Sequence, residues 1–264
     1  MKKLSVLFAA AVLVSAVSVT KAADDGNQLI LDLGDAVTLG NFKYKDVKIE
    51  VEKEYANPRG SAEFKFGGTP ASIGVEFAQS KNTFTGTYED SHGSVDVKRN
   101  EMAAYLRLGH KDETNVRIGY RKFKYDFSNA DIVMDNGEHD KNGEATGDLT
   151  TGLDAEVTLA VGTEVQFALT VGGTYFKDAK YSWAYDKYIN ERFTGHVTGN
   201  AKLDALSVRI RPQLSMKMDD NIKIYINGTI AASSWDATPE GGADYAGVDI
   251  YTALGLGLQY TFDL

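Results

Sequence analysis

The chain has 264 residues, with 28 Lys and Arg against 37 Asp and Glu, a formal net charge of −9 and a mean hydropathy of −0.28. It has no cysteine, 26 glycines and only 4 prolines. These figures exclude a disulfide framework and thiolate chemistry, argue against nucleic acid as a partner, and suit many strands joined by tight turns.

Met1, Lys2 and Lys3 form a basic start, and an apolar run follows from Leu4 to Val19, interrupted by Ser15 and Ser18. Thr20-Lys21-Ala22 offers a small-x-small cleavage site. The pattern reads as a secretory signal peptide over 1–22, leaving Ala23-Asp24-Asp25 as the new start. The run is shorter than the ~20 residues a spanning helix needs. Loss of the leader removes Lys2, Lys3 and Lys21 and no acid, so the exported chain is more acidic still. No other segment approaches a transmembrane helix. An exported chain that enters a membrane without such a run has to do so as a closed barrel. A soluble exported β-protein is the alternative.

Residues 23–41 are expected to form a periplasmic segment or the lead-in to a barrel. The apolar stretch Leu29–Leu39 within them fits an extra strand, a short helix, or a segment folded into or under the barrel. From 42 to 264 the chain alternates with period two, the signature of strands with one apolar and one polar face. Val47, Ile49 and Val51 alternate with Lys48, Glu50 and Glu52. Phe64 and Phe66 lead through Gly67-Gly68-Thr69-Pro70 into Ile73, Val75 and Phe77. Met102, Ala104, Leu106 and Leu108 precede a turn at His110–Asn115, and Val116, Ile118 and Tyr120 follow it. The apolar parity then moves to Phe123, Tyr125 and Phe127, which predicts a bulge near Arg121 or Lys122. The change from Val95 and Val97 to Met102 predicts another on the partner strand.

Leu153, Ala155, Val157, Leu159 and Val161 turn at Gly162-Thr163-Glu164 into Val165, Phe167, Leu169, Val171 and Tyr175. Leu206, Val208, Ile210, Leu214 and Met216 turn at Asp219-Asp220-Asn221 into Ile222, Ile224, Ile226 and Ile230. Pro212 lacks a donor, so a bulge or weakened pairing is expected there. Short connections near 67–70, 109–115, 162–164 and 219–221 alternate with long ones at about 80–94, 128–149, 177–203 and 236–246. That is the outer-membrane pattern of short periplasmic turns and long outside loops. The fold class is therefore all-β, a transmembrane antiparallel β-barrel of about ten strands. Eight or twelve also fit, because the first third and 183–203 divide ambiguously.

The last strand, Leu254–Leu264, alternates Leu254, Leu256, Leu258, Tyr260, Phe262 and Leu264 with Gly255, Gly257, Gln259, Thr261 and Asp263. Its Leu258, Tyr260, Phe262 and Leu264 resemble the C-terminal insertion signal of bacterial outer-membrane barrels. The family ends most often in an aromatic residue, whereas Leu264 ends this chain. The resemblance implies outer-membrane lipid and the barrel-assembly machinery as partners.

If the apolar faces meet lipid, the charged faces point inward. They bring Arg107, Arg117, Arg121, Arg209, Arg211, Lys217 and Lys223 together with Asp154, Glu156, Glu76 and Glu101. One reading is a charge-paired plug that fills a narrow bore. The other is a channel whose basic row selects small anionic solutes. Arg117-x-Gly-Tyr-Arg121 and Val208-Arg-Ile-Arg-Pro212 resemble the Arg-lined strands of small oligogalacturonate-type porins, over these two strands only. On this basis the expected role is a porin-like passive channel favouring small anions. The rivals are a non-conducting structural or adhesin barrel acting through its outer loops, and a rim enzyme. Asp90-Ser-His92 has the Asp-x-His spacing of omptin proteases, and a His beside a carboxylate can serve as a general base. The second acidic pair that omptins need is missing, so a solvated loop His is the simpler reading. Glu138-His139-Asp140 with Asp135 could touch a cation, but acidic polar loops are usually solvated surface. Neither Gly-x-Ser-x-Gly nor His-Glu-x-x-His occurs. No cofactor, metal or catalytic residue is expected. The aromatic segment with Tyr181, Trp183, Tyr185, Tyr188 and Phe193 reads as a lengthened outer hairpin or a binding loop.

Overall fold

The computed structural model describes residues 26–38, 41–44, 47–54, 57–88, 91–110, 113–239 and 245–264. The signal peptide expected over 1–22 lies outside them. The strands in chain order are β1 (Gln28–Thr38), β2 (Asn41–Tyr44), β3 (Val47–Glu54), β4 (Asn57–Lys65), β5 (Ala71–Tyr88) and β6 (Ser91–Leu108). They continue as β7 (Asn115–Met134), β8 (Glu138–Val161), β9 (Val165–Ile189), β10 (Arg192–Lys217), β11 (Ile222–Pro239) and β12 (Tyr245–Asp263). Ten of them close a ring in the order β5-β4-β1-β12-β11-β10-β9-β8-β7-β6, with β6 pairing back to β5. Every pairing is antiparallel. The hairpin β2–β3 sits on the far half of β5, from Asn82 to Tyr88, above β4. A closed ring leaves no strand edge, the condition for placing backbone N–H and C=O groups in lipid.

The stretch at Leu29–Leu39, unplaced by its sequence, holds the seam of this ring. β1 pairs with β12 from Gln28↔Asp263 to Thr38↔Ala253, and with β4 from Gln28↔Lys65 to Ala36↔Asn57. Leu29, Leu31, Leu33 and Val37 thereby join the apolar outer face of β12. That face is bare: Leu33 is 62% exposed and Leu256 65%.

The long connections expected near 80–94, 128–149 and 177–203 are strand, not loop. β5 runs to Tyr88 and β6 from Ser91, while β7–β8 and β9–β10 run on as hairpins that turn only at 135–137 and 190–191. The last turn has φ of 49° at Asn190 and 63° at Glu191, the two consecutive left-handed residues that match a turn to strand twist. Single extra residues interrupt the upper ladders where Asn129, Asn142 and Asp178 take φ near 50°, a conformation that Asn and Asp tolerate.

The parity change on β7 has a different cause from the bulge its sequence suggests. The β6–β7 register is unbroken from Val97↔Phe127 to Leu108↔Val116, and β5–β6 is unbroken throughout. Arg117 and Arg121 face inward, and so do Phe123, Tyr125 and Phe127. What inverts is the surroundings. Below Arg121 the outer face is apolar and the inner face polar, as lipid requires. Above it Lys122, Lys124 and Asp126 face outward, and Phe123 (3% exposed) packs inside with Leu149, Phe176, Ala179 and Ala205. Tyr125, Leu203 and Trp235 flank this cluster. β6 inverts in the same way, from outward Met102 to inward Val97. The upper hairpins therefore form a layer with a water-soluble protein's distribution of polarity, stacked on a ring with a membrane protein's. The β7–β8 ladder does shift at the expected place, from Arg121↔Gly152 to Phe123↔Leu149, but the extra residue is on β8, so β7 keeps its own parity. The bulge expected on β6 between Val97 and Met102 is absent, and there solvent, not backbone, changes. At Pro212 the ladder to β11 skips from Ile210↔Ile230 to Gln213↔Asn227 without a shift, so the pairing is weakened and not bulged.

Candidate functional site

The lower lumen is filled by an arginine–carboxylate network carried on β4 to β10. Period-two alternation places each member on the inner face. Glu156 of β8 is its hub, with Arg117 Nη2 at 2.9 Å, Arg209 Nε at 2.6 Å, and Arg211 Nη2 at 2.6 and 2.7 Å from its two oxygens. Asp154 accepts from Arg121 Nη2 at 3.1 Å, from the Thr174 hydroxyl at 2.6 Å, and from Arg209. Glu76 of β5 reaches across the bore to Arg117 at 2.6 Å, Arg121 at 3.1 Å and Arg211 at 3.5 Å. Glu101 pairs with Arg121 and, at 2.8 Å, with Arg99. Glu63 of β4 accepts from Arg107 at 2.9 and 3.1 Å, from the Tyr105 hydroxyl at 2.9 Å and from the Ser72 hydroxyl at 2.6 Å. Arg107 also donates to Asn115 Oδ1 at 2.9 Å, and Arg117 lies 4.1 Å from the Tyr105 ring centroid. Arg99 stacks 4.4 Å from the Phe123 ring centroid, joining the network to the apolar layer above.

Arg107, Arg117, Arg121, Arg209, Asp154 and Glu156 are all buried, and Arg211 is partly exposed. The structure thus brings together seven of the nine lumen candidates, as matched pairs and not as a free basic row. Lys223 is buried on the same face, beyond the network toward the short-turn end. Lys217 stands apart: it sits at the rim and pairs with the exposed Asp220 at 2.8 Å. That contact raises the Lys217 pKa and lowers that of Asp220, chiefly through the side-chain hydrogen bond. Charge alternation alone made Lys217 look internal, because a strand's inner face continues past the end of the bore.

A cavity of about 210 Å³ remains in the lumen. It is bordered by network residues on one side and by Gln213, Asn227, Thr229 and Gln259 on the other. The inner face of β12 at Gly255 and Gly257 is covered. The Arg59 guanidinium lies where a Gly255 side chain would stand, and the Tyr225 ring does the same over Gly257. Tyr225 Oη donates to Asp32 of β1. Among the described residues of the network and the cavity wall, seven arginines (Arg59, Arg99, Arg107, Arg117, Arg121, Arg209 and Arg211) stand against six carboxylates (Asp32, Glu63, Glu76, Glu101, Asp154 and Glu156).

Glu63, Tyr105 and Thr174 lie on the polar faces that alternation identifies but are not singled out by it as candidates, Asn115 reads as part of the turn before β7, and Arg59 is not assigned from sequence. The aromatic segment divides by face. Tyr181 and Trp183 pair with Ala201 and Gly199 on the inner side, while Tyr188 and Phe193 stack on the outer side at 5.6 Å.

The histidines stand outside the cleft. Uninterrupted β5–β6 register puts His92 on the same outward face as Met102, and Asp90 lies outside the described residues. His139 contacts Asp131, and His196 meets Asp186 at 2.8 Å, both on exposed strand faces. Among the described residues no group of three or more His, Asp or Glu could hold a metal. Leu258, Tyr260 and Phe262 share the outer face of β12, with Tyr260 and Phe262 in ring contact at 4.4 Å, and Leu264 follows them at 68% exposure.

No protein-family model matches the sequence, and no curated protein matches it. Solved structures do. The outer membrane protease OmpT of Escherichia coli is 12% identical with a TM-score of 0.55, over 90% of this chain and 97% of that one. The translocator domain of the autotransporter NalP of Neisseria meningitidis is 14% identical with a TM-score of 0.49, over 98% and 96%. The fold is that of the outer-membrane β-barrels.

Proposed function

We propose that this protein is an exported outer-membrane barrel with a closed lumen, acting at the cell surface through the strand-built extension above the bilayer. The role is structural or adhesive. The observation that supports it is the matched arginine–carboxylate network, spanning the bore beneath the Phe123–Phe176 layer. A porin-like path favouring small anions would need free charge on Arg117, Arg209 and Arg211, and although all three border the cavity, each is ion-paired to a carboxylate. A rim enzyme would need His92, His139 or His196 facing the cleft, and each stands on an outer face. Export would use a leader cleaved after Ala22, and assembly would read Leu258, Tyr260, Phe262 and Leu264. Liposome swelling tests the closed lumen. Vesicles carrying the folded protein should swell in isotonic arabinose or sodium gluconate no faster than protein-free vesicles. Rapid swelling that slows with increasing solute size would restore the porin reading.

A further inference from the structure

We propose that the lumen cavity is a binding site for a small oxyanion, such as sulfate, phosphate or a short carboxylate, held by Arg59. Three independent observations carry this. First, among the described residues the network and cavity wall hold seven arginines against six carboxylates, and a buried surplus of charge needs a counter-ion. Second, Arg59 Nε and Nη2 are buried and have no hydrogen-bond partner, whereas the network arginines are all ion-paired to carboxylates. Its guanidinium rests over Gly255, 5.9 Å from the Tyr225 ring centroid, a contact that holds the group without satisfying its donors. Leaving such donors unmade in a low-dielectric interior is costly. Third, Arg59 borders the cavity of about 210 Å³, which also meets the amides of Gln213, Asn227 and Gln259 and the Thr229 hydroxyl; the carboxylates on its wall, Asp32, Glu76, Glu101 and Glu156, are taken up by Tyr225 or by network arginines. One water needs about 10–15 Å³ on this measure, so there is room for an oxyanion with part of its hydration shell. The planar guanidinium fork suits two oxygens of such an anion, and the neutral groups can donate to the others. A metal cation is disfavoured by the same surplus. The site does not depend on whether the lumen conducts.

The test is equilibrium dialysis of radiolabelled sulfate against the folded full-length mature protein in detergent, at fixed ionic strength set with sodium chloride. Saturable binding near one sulfate per chain, displaced by phosphate, is expected. Arg59→Gln should weaken it at least tenfold and Arg59→Lys by a smaller factor. Absence of saturable binding, or sulfate held as tightly by Arg59→Gln as by the native chain, would overturn the proposal. If Arg59→Gln fails to fold, Arg59→Lys decides alone: threefold or greater weakening supports the site, and unchanged binding removes it.

Discussion

Replacing Glu156 with glutamine keeps its shape and deletes its charge. The carboxylate is 3% exposed and lies within 3.5 Å of four guanidinium groups, from Arg117, Arg121, Arg209 and Arg211. Glutamine offers a single acceptor oxygen and turns an N–H₂ toward donors. Removing one partner of a buried ion pair costs roughly 3–5 kcal/mol, because the remaining charge stays buried without compensation. With a urea slope of about 2–3 kcal/mol per molar, the unfolding midpoint should fall by roughly 1–2.5 M. Folding into lipid vesicles followed by urea titration measures this, with Trp183 and Trp235 as the reporters. The double variant Glu156→Gln with Arg209→Met should recover part of the loss, with a coupling of about 0.5–3 kcal/mol. A midpoint drop below about 0.3 M for Glu156→Gln would mean that water already solvates these arginines. The bore would then be open and the reasoning wrong.

Phe176 is fully buried in the layer above the network. Phe176→Ala should cost about 3–5 kcal/mol in the same titration, and a loss under about 1 kcal/mol would show that the layer is not packed. At the outer hairpins, hydrogen bonds from His196 and then Asn142 lower the pKa of Asp186. A depressed carboxylate pKa adds stability above the unfolded value, and that stability is lost as pH falls through the folded value. His196→Ala should therefore raise the Asp186 pKa toward the ordinary aspartate value, as read by carboxyl carbon NMR; an unchanged titration would rule the contact out. Lys217→Ala breaks only the exposed pair with Asp220 and should leave the unfolding midpoint unmoved. A clear drop would place Lys217 in the network after all.

Much of the barrel was legible because period-two alternation survives in every strand that touches lipid. The hairpins 153–175 and 206–230 could be placed from Leu, Val and Ile positions alone, and the turn residues between them fixed their ends. The same logic misread the upper half. A strand rising out of a membrane meets water, so its apolar residues must change sides, and Phe123 after Tyr120 looks the same in sequence as a bulge. The aromatic run from Tyr181 to Phe193 was split for the same reason, its alternate members facing the inner core and the outer surface. β1 stayed hidden because Asp35 interrupts its apolar face. Its carboxylate is used locally, accepting from the Ala36 and Asn57 amides at 2.9 and 2.7 Å. In the lumen, alternation identified the charged residues but not their partners. Arg209 and Glu156 are 53 positions apart, and nothing in either strand says that they meet.

The inversion on β7 is the most direct test of the account, because it sets both the membrane boundary and the closure above the network. The chain has no cysteine, so single cysteines can be placed from 116 to 127 without background. In proteoliposomes, a charged maleimide should label positions 122, 124 and 126 quickly. It should leave 116, 118 and 120 in lipid, and 123, 125 and 127 in the inner core, unlabelled. Fast labelling at 123, 125 and 127 with protection at 122, 124 and 126 would mean that the strand itself flips. The apolar layer over the lumen would then not exist.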